Sequence, residues 1–229
     1  MGEVLGPLLI SLRVALVATA LVGVPGIYLG WLLSRKRFFG RAVLDGIVQL
    51  PLVLPAVAVG YFLLWSLGKA GLGLAPSLLF TWKGATLAAA IMALPLVVRM
   101  AKLAFDGVDP RLESMGRSLG FTPWQVIWRV TLPLARRGIG AALILGFGRA
   151  LGEFGATIIV AGMVPGETGT LALAIFENIQ LGHSDQAFAL VAVASAVSFL
   201  AVAISGHLMG ESNGGSRNRG ASRDRGGAQ

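Results

Sequence analysis

The 229-residue chain is 55% hydrophobic, with a mean hydropathy of +0.76, 13% charged residues, no cysteine and a net charge of +8. An ordinary soluble domain carries about 25% charged residues, so a soluble fold of this length lacks the polar cover its surface needs, and disorder is excluded for so apolar a chain body. The missing cysteines exclude a disulfide framework, a thiolate metal site and a cysteine nucleophile, which leaves an all-α, polytopic membrane protein.

A helix needs about 20 mostly apolar residues to cross a bilayer core. Five segments have that length: 7–34, 46–68, 84–105, 138–164 and 186–210. The residues before the first are Met-Gly-Glu-Val, without the basic region of a cleaved signal peptide. The first span is therefore expected to be retained. Span two contains Pro51 and Pro55, and span three contains Pro95. Each removes a backbone hydrogen bond, so these are candidate hinges of a gate or, equally, static kinks.

Most of the 19 basic residues fall on one side. Arg35, Lys36, Arg37 and Arg41 follow span one. Arg99, Lys102, Arg111, Arg117, Arg129, Arg136 and Arg137 lie between or flank spans three and four, and Arg217, Arg219, Arg223 and Arg225 lie in the tail. The loop after span two has only Lys69 and Lys83. The positive-inside rule then places the N-terminus outside and the C-terminus in the cytoplasm of a bacterial-type inner membrane. No single basic face with aromatic platforms supports nucleic-acid binding. Residues 1–209 form the membrane domain. Residues 210–229, rich in Gly, Ser, Asn and Arg, read as a disordered basic tail, solvated in the first reading and in contact with anionic lipid in the second.

The segment 108–133 is punctuated like a folded unit. Asp109-Pro110 is an N-cap followed by proline at the first helical position. Gly120 is placed to stop that helix. Thr122-Pro123-Trp124-Gln125 has capping-box spacing and starts a second short helix, which Pro133 is expected to end. Phe121, Trp124 and Trp128 would be exposed beside Arg117 and Arg129. Such a knob suits a groove on a partner protein, and equally an interfacial helix with tryptophans at the headgroups.

In span four, Arg149 and Glu153 are one helical turn apart and can pair. Charges inside a span face a bundle interior or an aqueous path. Arg149 is a candidate path residue for an anion, with Glu153 holding it and Thr157 offering a hydroxyl nearby; a structural ion pair is the other reading. Gly148, Gly152 and Ala156 form a row suited to close helix packing. After this span, Gly166-Glu167-Thr168 reads as a turn leading into a short amphipathic stretch, and Glu167, Glu177 and Asp185 make the outer face acidic. No G-x-x-x-x-G-K-[ST] phosphate loop is present, and His183 and His207 show no metal spacing. With no catalytic triad either, the chain is expected to hold no cofactor or metal and to catalyse no reaction by itself.

Gly120, nine residues and then Val130-Thr131-Leu132-Pro133 resemble the second half of the EAA loop of ABC importer permeases. In its first half, Ser114, Met115 and Gly116 occupy the EAA positions and Glu113 lies one residue early. Four further blocks resemble the molybdate importer permease family: LPLVLPAVAVGYFLL, FTWKGATLAAAIMALPLVVR, GRALGEFGATIIVAG and PGETGTLALAIF. The likeness spans roughly residues 8–208; sulfate and tungstate permeases share parts of it. It implies a type I importer fold and a homodimer around one path. It also implies two cytoplasmic ATPase subunits holding ATP and Mg, and an extracytoplasmic substrate-binding protein. The ATPase-coupling loop would use Glu113, Ser114, Gly120, Phe121, Trp124, Trp128, Leu132 and Pro133. The binding protein would meet Gly166, Glu167 and Thr168. The alternatives are a sulfate or thiosulfate permease, or a secondary transporter needing no ATPase.

Overall fold

The computed structural model describes the backbone of residues 2–164 and 166–217, and side chains over 4–164 and 166–207. In chain order the helices are α1 (Gly2–Arg35), α2 (Arg41–Val53), α3 (Ala56–Leu67), α4 (Trp82–Asp106), α5 (Pro110–Ser118), α6 (Pro123–Val126), α7 (Leu132–Leu151), α8 (Gly155–Ala161), α9 (Leu171–Gln180) and α10 (Ser184–Arg217). Among the described residues, four helical stretches are long and apolar enough to cross a membrane: Val4–Arg35, Trp82–Asp106, Pro123–Leu151 and Ser184–His207. The bent pair α2–α3 makes a fifth.

The core is a seam of small residues between α1 and α4, closed by α7 and α8. Ala15 and Ala18 of α1 and Ala85, Ala89 and Ala93 of α4 are almost fully buried, joined by Ala150 and Ala161. Lipid tails are as apolar as leucine, so helices gain little by hiding leucine from them. Close backbone approach and van der Waals contact hold them together instead. Gly30 shows how close: a Cβ there would stand 2.7 Å from the Cβ of Ala101 and 2.8 Å from the backbone nitrogen of Lys102.

Several expectations change. Span two is not one rod, because α2 and α3 meet at 108°. Leu54 (φ −69°, ψ 145°) and Pro55 (φ −54°, ψ 131°) are extended. Proline disfavours helical backbone in the residue before it, so the helix ends ahead of Pro55 and restarts after it. Pro51 sits within α2, whereas α4 runs unbroken through the buried Pro95.

Span four is also broken. α7 ends at Leu151 and α8 begins at Gly155, with Gly152 (φ −85°, ψ 10°) capping the first and Phe154 (φ −128°, ψ −55°) preceding the second. Within the chain Gly148 and Gly152 pack against no other helix, since none lies within 4 Å of a Cβ built at either. The tight contact belongs to Gly60 on α3, where a Cβ would lie 2.8 Å from the Cα of Ala156. That contact seats the bent pair on α8.

Pro133 does not end the second short helix. From α6 the chain passes through a π-helical turn, Ile127–Thr131, straight into α7, where Pro133 occupies the first turn. The backbone N–H of Leu132 donates to the carbonyl of Ile127, five residues back. The widened turn absorbs a proline that has no N–H to donate. At the other end, α10 continues past Gly210 to Arg217. The remainder of the expected tail, residues 218–229, lies outside the described residues, as does Pro165.

Candidate functional site

The segment 108–133 folds as the spacing of its cap residues predicts. Asp109 accepts the N–H of Arg111 at 2.8 Å. At the far end of α5, Gly120 (φ +85°) gives its N–H to Arg117, and Phe121 gives its N–H to Gly116. These two bonds form a Schellman motif, and glycine adopts its left-handed residue without strain. Thr122 and Gln125 then form a reciprocal capping box, with bonds of 2.9 and 3.3 Å. Two short helices are thus locked at a corner by backbone bonds.

The corner presents Trp124 and Trp128, 67% and 54% exposed, with their rings edge-to-face at 5.6 Å. Ser114, Gly120 and Pro133 are also exposed. Phe121 is not part of the free surface. It is half-buried beside Gly116, with the Arg129 guanidinium 5.5 Å from its ring centre. Leu132 packs inward, against the cluster of Phe105, Ala135 and Ile139.

Glu113 also points inward, through contacts that spacing did not reveal. Its Oε1 lies 3.0 Å from Nε of Arg35, an ion-pair distance without hydrogen-bond alignment, and accepts the Thr131 hydroxyl at 2.9 Å. Arg35 also donates through Nη2 to the Val108 carbonyl at 2.9 Å. Beside it, Ser34 and Lys102 both hold Asp106, each at 2.6 Å. The end of α1 therefore clasps the end of α4 and the root of α5. The sequence reads Arg35 only as a topology charge, and nothing local to it identifies Glu113 as its partner.

Arg149 and Glu153 do pair, at 2.7 Å, but across the break rather than along one helix. Glu153 is buried, and its second oxygen accepts the N–H of Ala156 at 2.9 Å. One carboxylate thus satisfies a freed N–H of α8 and is balanced by a guanidinium whose side chain is 29% exposed. An unpaired carboxylate at such depth would be costly. Thr157 is enclosed by the chain's own helices, at 1% exposure.

In the following loop, Gly166 (φ +78°) and Glu167 are exposed at a turn. Thr168 is fully buried, accepting the Val164 N–H at 2.7 Å and donating to the Gly162 carbonyl at 3.0 Å. It shapes the turn from beneath, so its hydroxyl is not on the surface with its two neighbours. The N–H of Leu171 then bonds Ser11 of α1 at 2.6 Å, which docks α9 onto the first helix. No group of three or more His, Cys, Asp or Glu side chains that could hold a metal occurs among the described residues.

The model of the family "binding-protein-dependent transport system inner membrane component" matches residues 26–210. The molybdenum transport system permease protein ModB of Escherichia coli K12 is 43% identical over 206 residues, covering 86% of this chain and 90% of that protein. The sulfate transport system permease protein CysT of the same organism is 36% identical over 197 residues, covering 83% of this chain and 71% of that protein. Among solved structures, an inward-facing MetNI methionine ABC transporter matches with a TM-score of 0.67 at 17% identity, over 91% of this chain and 97% of that one.

Proposed function

The chain belongs to the binding-protein-dependent transport system inner membrane components, and from that membership we propose that it is the membrane-spanning subunit of an ATP-driven importer carrying molybdate, a tetrahedral oxyanion, inward. The observation that carries the substrate is the greater identity to the molybdenum permease than to the sulfate permease of one organism, over nearly the same stretch. The chain works with a cytoplasmic ATPase subunit, which holds ATP and Mg, and with an outer substrate-binding protein. It forms a homodimer and is not itself an enzyme. The basic end faces the cytoplasm, with the N-terminus outside.

The geometry supports transport in the following steps. ATP closes the two ATPases, which carry the Trp124–Trp128 corners of the two protomers together. Each corner is clasped to α1 and α4 through Arg35, Glu113 and Asp106, so its displacement turns these helices rather than bending a loose loop. The bend at Leu54–Pro55 and the break at 152–154 are where the backbone is not tied into continuous helix, and there the path opens and closes. At the outer face, Gly166 and Glu167 meet the binding protein. At the break, Arg149 offers the oxyanion a fixed positive charge, and Glu153 limits how tightly the ion is held.

The test is uptake of labelled molybdate into vesicles holding the chain with its ATPase and binding protein. ATP-dependent uptake that tungstate blocks and sulfate does not is the expected result. ATP-dependent uptake of sulfate would overturn the substrate, and uptake indifferent to ATP would overturn the importer. In the same assay Arg149→Gln lowers the uptake rate; an unchanged rate in a complex that still assembles removes Arg149 from the path.

A further inference from the structure

Asp45 and Gln49 lie on one face of α2, four residues apart, and Arg99 and Lys102 lie on one face of α4. The two faces line a shared cavity of about 330 Å³ that is floored by Pro95, Val98 and Leu103. At about 1.5 Å rise per residue, these four side chains sit roughly 6–12 Å inside the ends of their helices. The positive-inside rule accounts for Arg99 and Lys102 there. It does not account for a carboxylate and an amide, which on a lipid-facing surface would be unfavourable and which mark an aqueous or protein-lined face.

The hydrogen bonds show which of the four is available. The Gln49 amide donates to Asp45 at 2.7 Å, and Lys102 is paired with Asp106 at 2.6 Å. Arg99 is exposed and makes no ion pair or hydrogen bond among the described residues. Its guanidinium is a planar fork of donors, matched to two oxygens of an oxyanion. Water occupies about 30 Å³ per molecule, so the cavity has room for a four-oxygen anion that keeps part of its hydration shell. Asp45 on the opposite wall would weaken the binding, as a transport station requires, since an ion held tightly is not passed on. Pro95 borders the same cavity, and its missing N–H frees the carbonyl of Ile91 one turn back.

We propose that this α2–α4 cavity is a cytoplasmic-side station for the transported oxyanion, with Arg99 as its ligand and Gln49 and Lys102 beside it. The proposal rests on the importer reading and adds a second position on the path, nearer the cytoplasm than Arg149. The headgroup of an anionic lipid offers the same phosphate-like chemistry, so the test separates the two.

The complete complex, with ATPase and binding protein, is placed in phosphatidylcholine vesicles with or without phosphatidylglycerol. Arg99→Gln is expected to lower molybdate uptake about tenfold in both, the size of one charge-assisted contact. Arg99→Lys keeps the charge but not the two-donor fork, so it should restore only part of the rate, and the melting temperature should not move. A loss seen only with phosphatidylglycerol would assign Arg99 to lipid and overturn the station. Unchanged uptake by Arg99→Gln, in a complex whose unmutated form transports, would overturn the station alone. No uptake by the unmutated complex would instead overturn the importer reading.

The natural chain has no cysteine, so Leu103→Cys, at an exposed position lining the cavity, gives a second readout. A negatively charged thiol reagent should label it from the cytoplasmic side, and millimolar molybdate should slow the labelling severalfold. Labelling that molybdate does not slow would also overturn the proposal.

Discussion

Along the α1–α4 seam, glycine and alanine bring two backbones into contact, and almost every side chain is buried. In the 108–133 corner few side chains are buried, Val108, Val126 and Thr131 among them; shape there comes largely from an Asp cap, a Schellman turn and a capping box, each closed by named hydrogen bonds. The seam tolerates no added volume and holds one arrangement. The corner keeps a fixed shape while leaving two tryptophans free for a partner. A subunit that relays force needs both kinds of rigidity, and the Arg35–Glu113–Thr131 clasp joins them.

The contrast is sharpest under mutation. The largest effect is expected from Gly30→Leu, whose first carbon already overlaps Ala101 and the backbone of Lys102. Overpacking costs about 1–3 kcal/mol or more, so the purified protein should melt several degrees lower; an unchanged Tm would mean the seam yields. Next is Trp124→Ala. The exposed ring adds little to folding, so the permease alone should melt as before, while affinity for the ATPase falls by about 2 kcal/mol, roughly 30-fold. Equal affinity would remove this tryptophan from the docking surface.

Gly120→Val acts on backbone alone, since nothing lies within 4 Å of its Cβ position. A left-handed valine costs about 1–2 kcal/mol. Hydrogen exchange should quicken across 110–126 and stay unchanged in α4; protection kept throughout would show that the corner does not depend on this turn. The smallest effect is expected from Thr122→Ala, which removes one half of the capping box at about 1 kcal/mol. It should weaken ATPase binding several-fold and leave the Tm within error. A weakening as large as that of Trp124→Ala would mean that the threonine itself touches the partner.

What was readable in advance was local or compositional. Hydropathy located the first, third and fifth spans to within about three residues, because twenty apolar residues in a row have few other uses, but it merged α2 with α3 and placed the fourth span at 138–164 where the apolar helix is Pro123–Leu151. Asp109, Pro110, Gly120, Thr122 and Gln125 announced the corner, because caps and turns act within four residues of themselves. Tertiary structure decided what depends on distant partners. Pro51 and Pro55 marked a disturbance, but the 108° bend is held where Gly60 meets Ala156, about a hundred residues away in sequence. The break in span four needs Glu153 turned inward to cap Ala156 while paired with Arg149, which an unbroken-helix reading cannot show. Arg35 became the root of the clasp, and Arg99 one wall of a cavity, only when helices remote in sequence came side by side. The order of the residues determines where the chain can turn and which faces avoid water. Which charges meet is settled by helix packing, because an ion pair between remote positions leaves no periodic trace along the chain.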